Sequence, residues 1–192
     1  MSRFLLVFLV ISLVSCQNEI PKSPPNVILI LTDDQGYGDL GIHGNEAIQT
    51  PVLDQLANES TRFERFYVSP LCAPTRASML TGRYHLRTGT VSVSKGLETM
   101  DAEEYTLAEL FKDNGYSTAI FGKWHNGQHY PNHPLAQGFD VFPGFLGGHW
   151  SNYFDTHLEK DREMQKIEGY ISDVWTDEAI NVLEENKNWI FS

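Results

Sequence analysis

Apolar runs alternate along the chain with segments in which apolar residues recur every three or four positions. Residues 26–32 (NVILILT) form a nearly continuous apolar run, which is typical of a strand buried on both faces of a parallel sheet. Residues 62–68, rich in aromatic side chains, and residues 116–121 predict two further strands. Another buried strand is expected to begin within residues 189–192 (WIFS).

Helices are predicted between these runs. Thr50 and Pro51 open the first helix, because Thr is a favoured N-cap residue and Pro suits the first helical position. Its apolar face is expected to consist of Val52, Leu53 and Leu56. Three more helices are predicted, with Ser172 as the N-cap of the last, over residues 74–80, 106–114 and 173–186.

The alternation of strands and helices indicates an α/β layered fold with a mainly parallel central sheet. Residues 126–171 are rich in aromatic residues and glycine, and we expect them to form a long irregular excursion near a site. Ligands of such folds bind beyond the carboxyl ends of the strands. Polar or nucleophilic residues follow the first three predicted strands and are expected to converge there: Asp33 and Asp34, Cys72, and Lys123 with His125.

Composition excludes several classes of protein. With 41% hydrophobic residues, the 192-residue chain can bury a core, and its length suits one domain or a piece of a larger one. The formal net charge of -11 argues against a nucleic-acid partner, which would require a basic face. Two cysteines are too few for a disulfide scaffold.

Residues 1–15 are predicted to be a secretory signal peptide. Arg3 precedes an apolar run that is shorter than the roughly 20 residues needed to span a bilayer. The run ends in LVSC, which resembles the lipobox of bacterial lipoproteins, so Cys16 is expected to carry a lipid anchor. Residues 16–25 would then be a polar, proline-rich tether, and the protein an exported lipoprotein of the periplasm or of the outer or cell membrane. A buried N-terminal strand is the alternative.

Asp33 and Asp34 are candidate ligands for a metal ion. Two adjacent carboxylates repel each other unless a positive charge lies between them. Their oxygen atoms suit a hard cation such as Ca²⁺ or Mg²⁺. The alternative is a solvated turn, because Asp is common in turns and an isolated pair is more often part of one.

Cys72, Arg76, Lys123 and His125 are candidate catalytic residues. The start of a helix stabilises an anion or a thiolate, which suits a nucleophile at Cys72. Arg76, one turn later, presents a planar guanidinium suited to sulfate or phosphate, and His125 can carry a proton. The alternatives are a packing cysteine and a surface arginine. A bridge between Cys16 and Cys72 is also conceivable, but Cys16 lies beside the signal peptide.

Two longer motifs contain these residues. Residues 70–83 (PLCAPTRASMLTGR) resemble the first signature of the sulfatase family, in which Cys-x-Pro-Ser/Thr-Arg is followed by an apolar pair and Thr-Gly-Arg. Residues 115–125 (GYSTAIFGKWH) resemble the second signature, with Phe121 where a smaller residue is usual. The resemblance is close over residues 25–125 and loose beyond them.

This resemblance implies an alkaline-phosphatase-like α/β fold and the hydrolysis of sulfate esters. In the family, a maturation enzyme oxidises the cysteine of the first signature to formylglycine. Cys72 would therefore act as an aldehyde hydrate whose hydroxyl attacks sulfur. Asp33, Asp34 and the modified Cys72 would hold a divalent metal, Ca²⁺ first and Mg²⁺ as the alternative.

The resemblance also assigns roles to three other residues. Arg76 would stabilise the hydrate and the charge at the metal site. Lys123 would contact the sulfate and the nucleophile, and His125 would handle the hydrate proton.

Family members are longer than this chain, and their sites are completed by a later Asp-Asn pair, a His and a Lys, to which no match is found here. Residues 26–192 are therefore expected to be the truncated N-terminal part of a sulfatase catalytic domain, inactive by itself. The alternative enzyme is a phosphonate or phosphate monoester hydrolase of the same superfamily, and the alternative to an enzyme is an anion-binding remnant. No catalytic role is assigned to the histidines of the excursion, His129, His133, His149 and His157.

Overall fold

The structure is a computed structural model that describes residues 24–160 and 162–185. Residues 24–30 and 183–185 belong to one compact unit, and residues 31–182 belong to another. All candidate catalytic and metal-binding residues lie in the second unit.

Several predictions fall outside the described residues. They concern the signal peptide, the lipid anchor at Cys16, most of the tether and the strand expected within residues 189–192. No helix in the described part of the chain is both long and apolar enough to cross a membrane.

Helices form where the pattern predicts them. Within the described residues the α-helices are α1 (Pro51–Glu59), α2 (Cys72–Thr81), α3 (Leu107–Asp113) and α4 (Ile171–Glu185). Short 3-10 helices form at Tyr37–Asp39, Gly41–His43, His85–Arg87 and Pro134–Ala136.

The helix ends follow local chemistry. The N-cap of α3 is Thr106, whose hydroxyl accepts the N–H of Glu109 while the Glu109 carboxylate accepts the N–H of Thr106. Helix α2 ends at Gly82 in the left-handed conformation. Ser172 is not the N-cap of α4, because Ile171 is buried, donates its N–H to the Tyr153 carbonyl and already belongs to the helix.

The strands form a four-stranded mixed sheet in the order β1-β2-β3-β4. They are β1 (Gly122–Lys123), β2 (Gly144–Phe145), β3 (His157–Lys160) and β4 (Glu163–Lys166). β1 and β2 pair in parallel, whereas β2 with β3 and β3 with β4 are antiparallel. The α/β class is confirmed, and one of the three pairings within the described residues is parallel.

Two predicted strands do not form within the described residues. Residues 26–32 and 62–68 pair with no other segment there, so they are not strands. A strand needs a neighbour that exchanges backbone hydrogen bonds with it, and the apolar pattern by itself provides none. Their side chains are accordingly exposed, as is the predicted apolar face of α1 (Val52, Leu53 and Leu56).

The third predicted strand pairs later than the pattern indicates. Pairing starts at Ala119, which bridges Val141, and continues through β1. Its partner β2 comes from residues 126–171, which are mostly irregular, as predicted, but also supply three of the four strands within the described residues. These strands have only two or four residues each, so the sequence shows no periodicity by which they could be predicted.

Two apolar clusters form the core of residues 31–182. One contains Ala77 and Leu80 of α2 together with Met100, Trp124 and Phe142. The other contains Phe145, Leu158 and Ile171. Trp124 is 1% exposed, and its indole N–H donates to the Asn132 carbonyl at 3.0 Å. The buried Trp124 lies between Lys123 and His125 in the sequence and so anchors this part of the backbone in the core.

Candidate active site

The start of α2, the end of β1 and the loop at Asp33 meet at one place. Cys72 is the first residue of α2, and Arg76 follows one turn later on the same helix. Lys123 ends β1, and His125 lies two residues beyond it. Five of the six predicted site residues make hydrogen bonds or ion pairs there, in two groups: Cys72 with His125, and Asp33 with Arg76 and Lys123.

Cys72 contacts His125 directly. The thiol Sγ lies 3.3 Å from Nδ1 of the imidazole. On the other side of the ring, Nε2 lies 3.0 Å from the Val93 carbonyl, which can only accept a hydrogen bond. Nε2 therefore carries the proton of the neutral ring, and the lone pair of Nδ1 faces the thiol.

The surroundings of His125 favour its neutral form. Burial lowers the pKa of His125 below its usual value, and the charges of Lys123 and Arg76 act in the same direction. The Val93 carbonyl and the charge of Glu98 oppose this lowering. A neutral imidazole beside Cys72 can accept a proton from it.

Arg76 links the helix to the strand. Its side chain is 10% exposed, and Nη1 donates to the Lys123 carbonyl at 2.7 Å. Nη2 lies 3.6 Å from the Asp33 carboxylate. Nε is buried and has no hydrogen-bond partner among the described residues.

Lys123 shares the same carboxylate. Its ammonium lies 2.9 Å and 3.2 Å from the two oxygen atoms of Asp33. Desolvation raises the pKa of Asp33, but the hydrogen bond and charge of Lys123, together with Arg76, outweigh it, and the net pKa is lowered. Asp33 is therefore an anion held between two buried cations.

Asp34 is the predicted site residue that the structure leaves outside this network. Its backbone is left-handed, with φ of 56°, and its side chain is exposed. The carboxylates of Asp33 and Asp34 are the donor type that a hard cation prefers. However, within the described residues no group of three or more His, Cys, Asp or Glu side chains could hold a metal. Both oxygen atoms of Asp33 already contact Lys123, so a role of these carboxylates as metal ligands stays a prediction.

Two contacts of the site escaped the sequence reasoning. Asn126 is fully buried, and its amide donates to the Ala73 carbonyl at 3.1 Å, which ties the turn after β1 to α2. Its position directly after His125 was the available signal. No sequence signal indicated the Val93 carbonyl, because any residue type can supply a backbone acceptor.

The histidines without an assigned role include one structural residue. His133 is buried, and its Nε2 lies 2.8 Å from the Glu159 carboxylate of β3. The Leu135 N–H donates to Nδ1 of the same ring. His133 thus joins a loop to the sheet.

Comparison with known proteins points to one family. A family model described as Sulfatase matches residues 25–192. N-acetylgalactosamine-6-sulfatase of Canis lupus familiaris is 40% identical over 141 residues, which are 68% of this chain and 27% of that protein. Steryl-sulfatase of Homo sapiens is 43% identical over 140 residues, which are 64% of this chain and 24% of that protein. The chain spans about a quarter of the length of these curated relatives.

Solved structures agree with the expected fold. The crystal structure of Ps i-CgsB has a TM-score of 0.75 at 34% identity and covers 84% of this chain and 41% of that chain. BT4656, solved in complex with its substrate D-glucosamine-2-N,6-O-disulfate, has a TM-score of 0.72 at 34% identity and covers 83% of this chain and 31% of that chain.

Proposed function

The chain belongs to the sulfatase family, and from that premise we propose that it supplies the nucleophile and the cationic part of an active site that hydrolyses sulfate esters. The contact between Cys72 and His125, beside two buried cations, carries this proposal. Residues 26–192 form the N-terminal part of the catalytic domain in this proposal, which the span of the family match supports.

Each side chain has a defined task in the proposed reaction. His125 accepts a proton at Nδ1 from the group at position 72, because its Nε2 proton is held by Val93. Arg76 and Lys123 place positive charge where the negative oxygen atoms of a sulfate ester would lie. Their burial strengthens this attraction, since little water screens it.

The proposed reaction also requires a modified residue and a bound metal ion. A formylglycine at position 72 and a divalent cation would together supply an acidified hydroxyl as the nucleophile. Asp33 and Asp34 would hold that cation, with Ca²⁺ as the first candidate and Mg²⁺ as the second. Lys123 would then share Asp33 with the metal.

The test of the nucleophile is mass spectrometry of peptide 66–76, which ends at Arg76. Co-expression with a formylglycine-generating enzyme should convert the Cys72 thiol to an aldehyde, because the Cys-x-Pro-x-Arg run is intact. Cys72→Ala is the control and should show no conversion. An unmodified thiol throughout, with an active maturation enzyme present, would contradict the proposal.

The reaction is tested in a longer chain, in which these residues replace the equivalent N-terminal part of a solved sulfatase. With excess Ca²⁺ or Mg²⁺ it should hydrolyse an aryl sulfate, and Cys72→Ala should abolish turnover. Faster hydrolysis of a phosphate monoester would favour the alternative enzyme. Sulfate binding without hydrolysis of either ester, by fully converted protein, would favour the anion-binding remnant.

We also propose that the chain is exported and that Cys16 carries a lipid anchor. The support is the sequence LVSC after a short apolar run with a basic start. Cys16→Ala should remove the lipid. If labelled fatty acid never enters the wild-type chain, ordinary signal cleavage is the better account.

A further inference from the structure

His125 is held from both sides of its ring. Nδ1 faces Cys72 at 3.3 Å and Nε2 faces the Val93 carbonyl at 3.0 Å. His125 is 2% exposed, and its backbone is left-handed, with φ of 64°. This conformation is uncommon for a non-glycine residue.

The third side of the ring is closed by a glycine. An added Cβ at position 148 would lie 2.5 Å from both Cε1 and Nε2 of His125. Real Cβ atoms essentially never approach another heavy atom so closely. Gly148 does not have a positive φ, so its backbone conformation does not itself require glycine. Glycine is needed at position 148 because any side chain there would occupy the space of the His125 ring.

We propose that Gly148 is a positioning residue for His125. Its missing side chain lets the ring sit where Nε2 reaches Val93 and Nδ1 reaches residue 72. With alanine at position 148, the ring must move, because its Nε2 edge would meet the new methyl group. At least one of the two ring hydrogen bonds is then lost.

Gly147 provides a matched control. It precedes Gly148 and also lacks a positive φ. Among the described residues, an added Cβ there would come within 4 Å of the His149 carbonyl oxygen alone, at 3.8 Å. Both changes insert the same methyl group into the same Gly-Gly pair. Any difference between Gly147→Ala and Gly148→Ala therefore reports the contact with His125.

The first experiment observes the ring in the unmodified full chain. Long-range ¹H–¹⁵N correlation spectra of the histidines, with His125 assigned from a His125→Gln sample, should show the Nε2–H tautomer in the wild type. Gly148→Ala should shift the His125 signals or mix its tautomers, and Gly147→Ala should leave them in place. Unchanged His125 signals in Gly148→Ala, or equal changes in both variants, would overturn the proposal.

A second experiment remains decisive if Gly148→Ala folds poorly. In the wild-type background this change should lower Tm by about 4–8 °C, as expected for an overpacked core position. In a His125→Ala background, where the ring is gone, the same change should lower Tm by less than about 2 °C. An equal loss of Tm, or an equal failure to fold, in both backgrounds would overturn the proposal.

The consequence for catalysis rests on the proposed function. In the longer chain, Gly148→Ala should lower kcat at least about 10-fold with little change in KM, because proton transfer at residue 72 is disturbed. Gly147→Ala should leave both constants unchanged. Loss of turnover in every variant would count against the proposed function alone, since the spectra and the Tm comparison do not depend on turnover. Unchanged kcat in Gly148→Ala, with an active wild type, would count against the positioning role.

Discussion

Replacing Arg76 with lysine tests whether the guanidinium holds the site together. Lysine keeps the positive charge but cannot make the two contacts that Nη1 and Nη2 make to the Lys123 carbonyl and to Asp33. The Lys123 carbonyl is then left without its donor in a buried position, and β1 loses its direct link to α2. We therefore expect a loss of stability as well as a loss of the proposed activity.

The expected loss of stability in Arg76→Lys follows from how exposed each partner of Arg76 is. The buried hydrogen bond from a charged donor contributes about 1.5–3 kcal/mol. The ion pair with Asp33 contributes at most about 1 kcal/mol, because that carboxylate is 45% exposed and water screens it. Removing Nε, a buried donor with no partner among the described residues, offsets part of this loss. The expected decrease in the free energy of unfolding is about 1–2 kcal/mol.

Urea unfolding of Arg76→Lys and of a control measures this difference. Arg62→Lys is the control, because Arg62 pairs with Glu64 at 3.0 Å in an exposed position and its replacement should cost less than about 0.5 kcal/mol. The urea midpoint should fall in Arg76→Lys with the slope unchanged. Equal midpoints for the two variants would refute the role given to the guanidinium.

Two further predictions concern the frame around the site. Desolvation raises the pKa of Asp140, but hydrogen bonds from Lys112 and Thr118 outweigh it, and the net pKa is lowered. The stability that Asp140 contributes is therefore complete above its ordinary pKa of 3.8. That stability is lost as the pH falls through the lowered pKa. Asp140→Asn should remove this part of the acid-induced loss in urea titrations, and an equally steep loss in the variant would contradict the assignment. Thr106→Ala should lower the free energy of unfolding by about 1–2 kcal/mol, because the hydroxyl caps α3 and donates to a buried carbonyl. The control Thr176→Ala, on the exposed face of α4, should lower it by less than about 0.5 kcal/mol. Equal losses of stability would contradict the capping role.

Local signals in the sequence predicted the helices well. Gly82 and the Thr106–Glu109 pair mark helix ends because their chemistry acts within one turn of the chain. The strands were harder, because a strand depends on a partner that is distant in the sequence. Residues 26–32 have a strand pattern without pairing, whereas β2 has pairing without a pattern.

The candidate site, too, was predictable in part: its residues could be named from the sequence, but their contacts could not. Asp33, Cys72 and His125 could be named because their side chains carry recognisable chemistry, and the structure brings them together with Arg76 and Lys123. The sequence could not show that both cations would face a single carboxylate. Nor could it show that a backbone carbonyl and a missing side chain would fix the imidazole.

The charge balance of the site argues for an anion as its natural occupant. Arg76 and Lys123 are 10% and 7% exposed, and burial lowers the pKa of His125, which favours its uncharged form. Two nearly buried cations share Asp33, so one positive charge has no anionic partner within this network. Burying a charge without a partner is costly. The imbalance is instead favourable if an anionic group enters beside Cys72, because that group then supplies the missing negative charge.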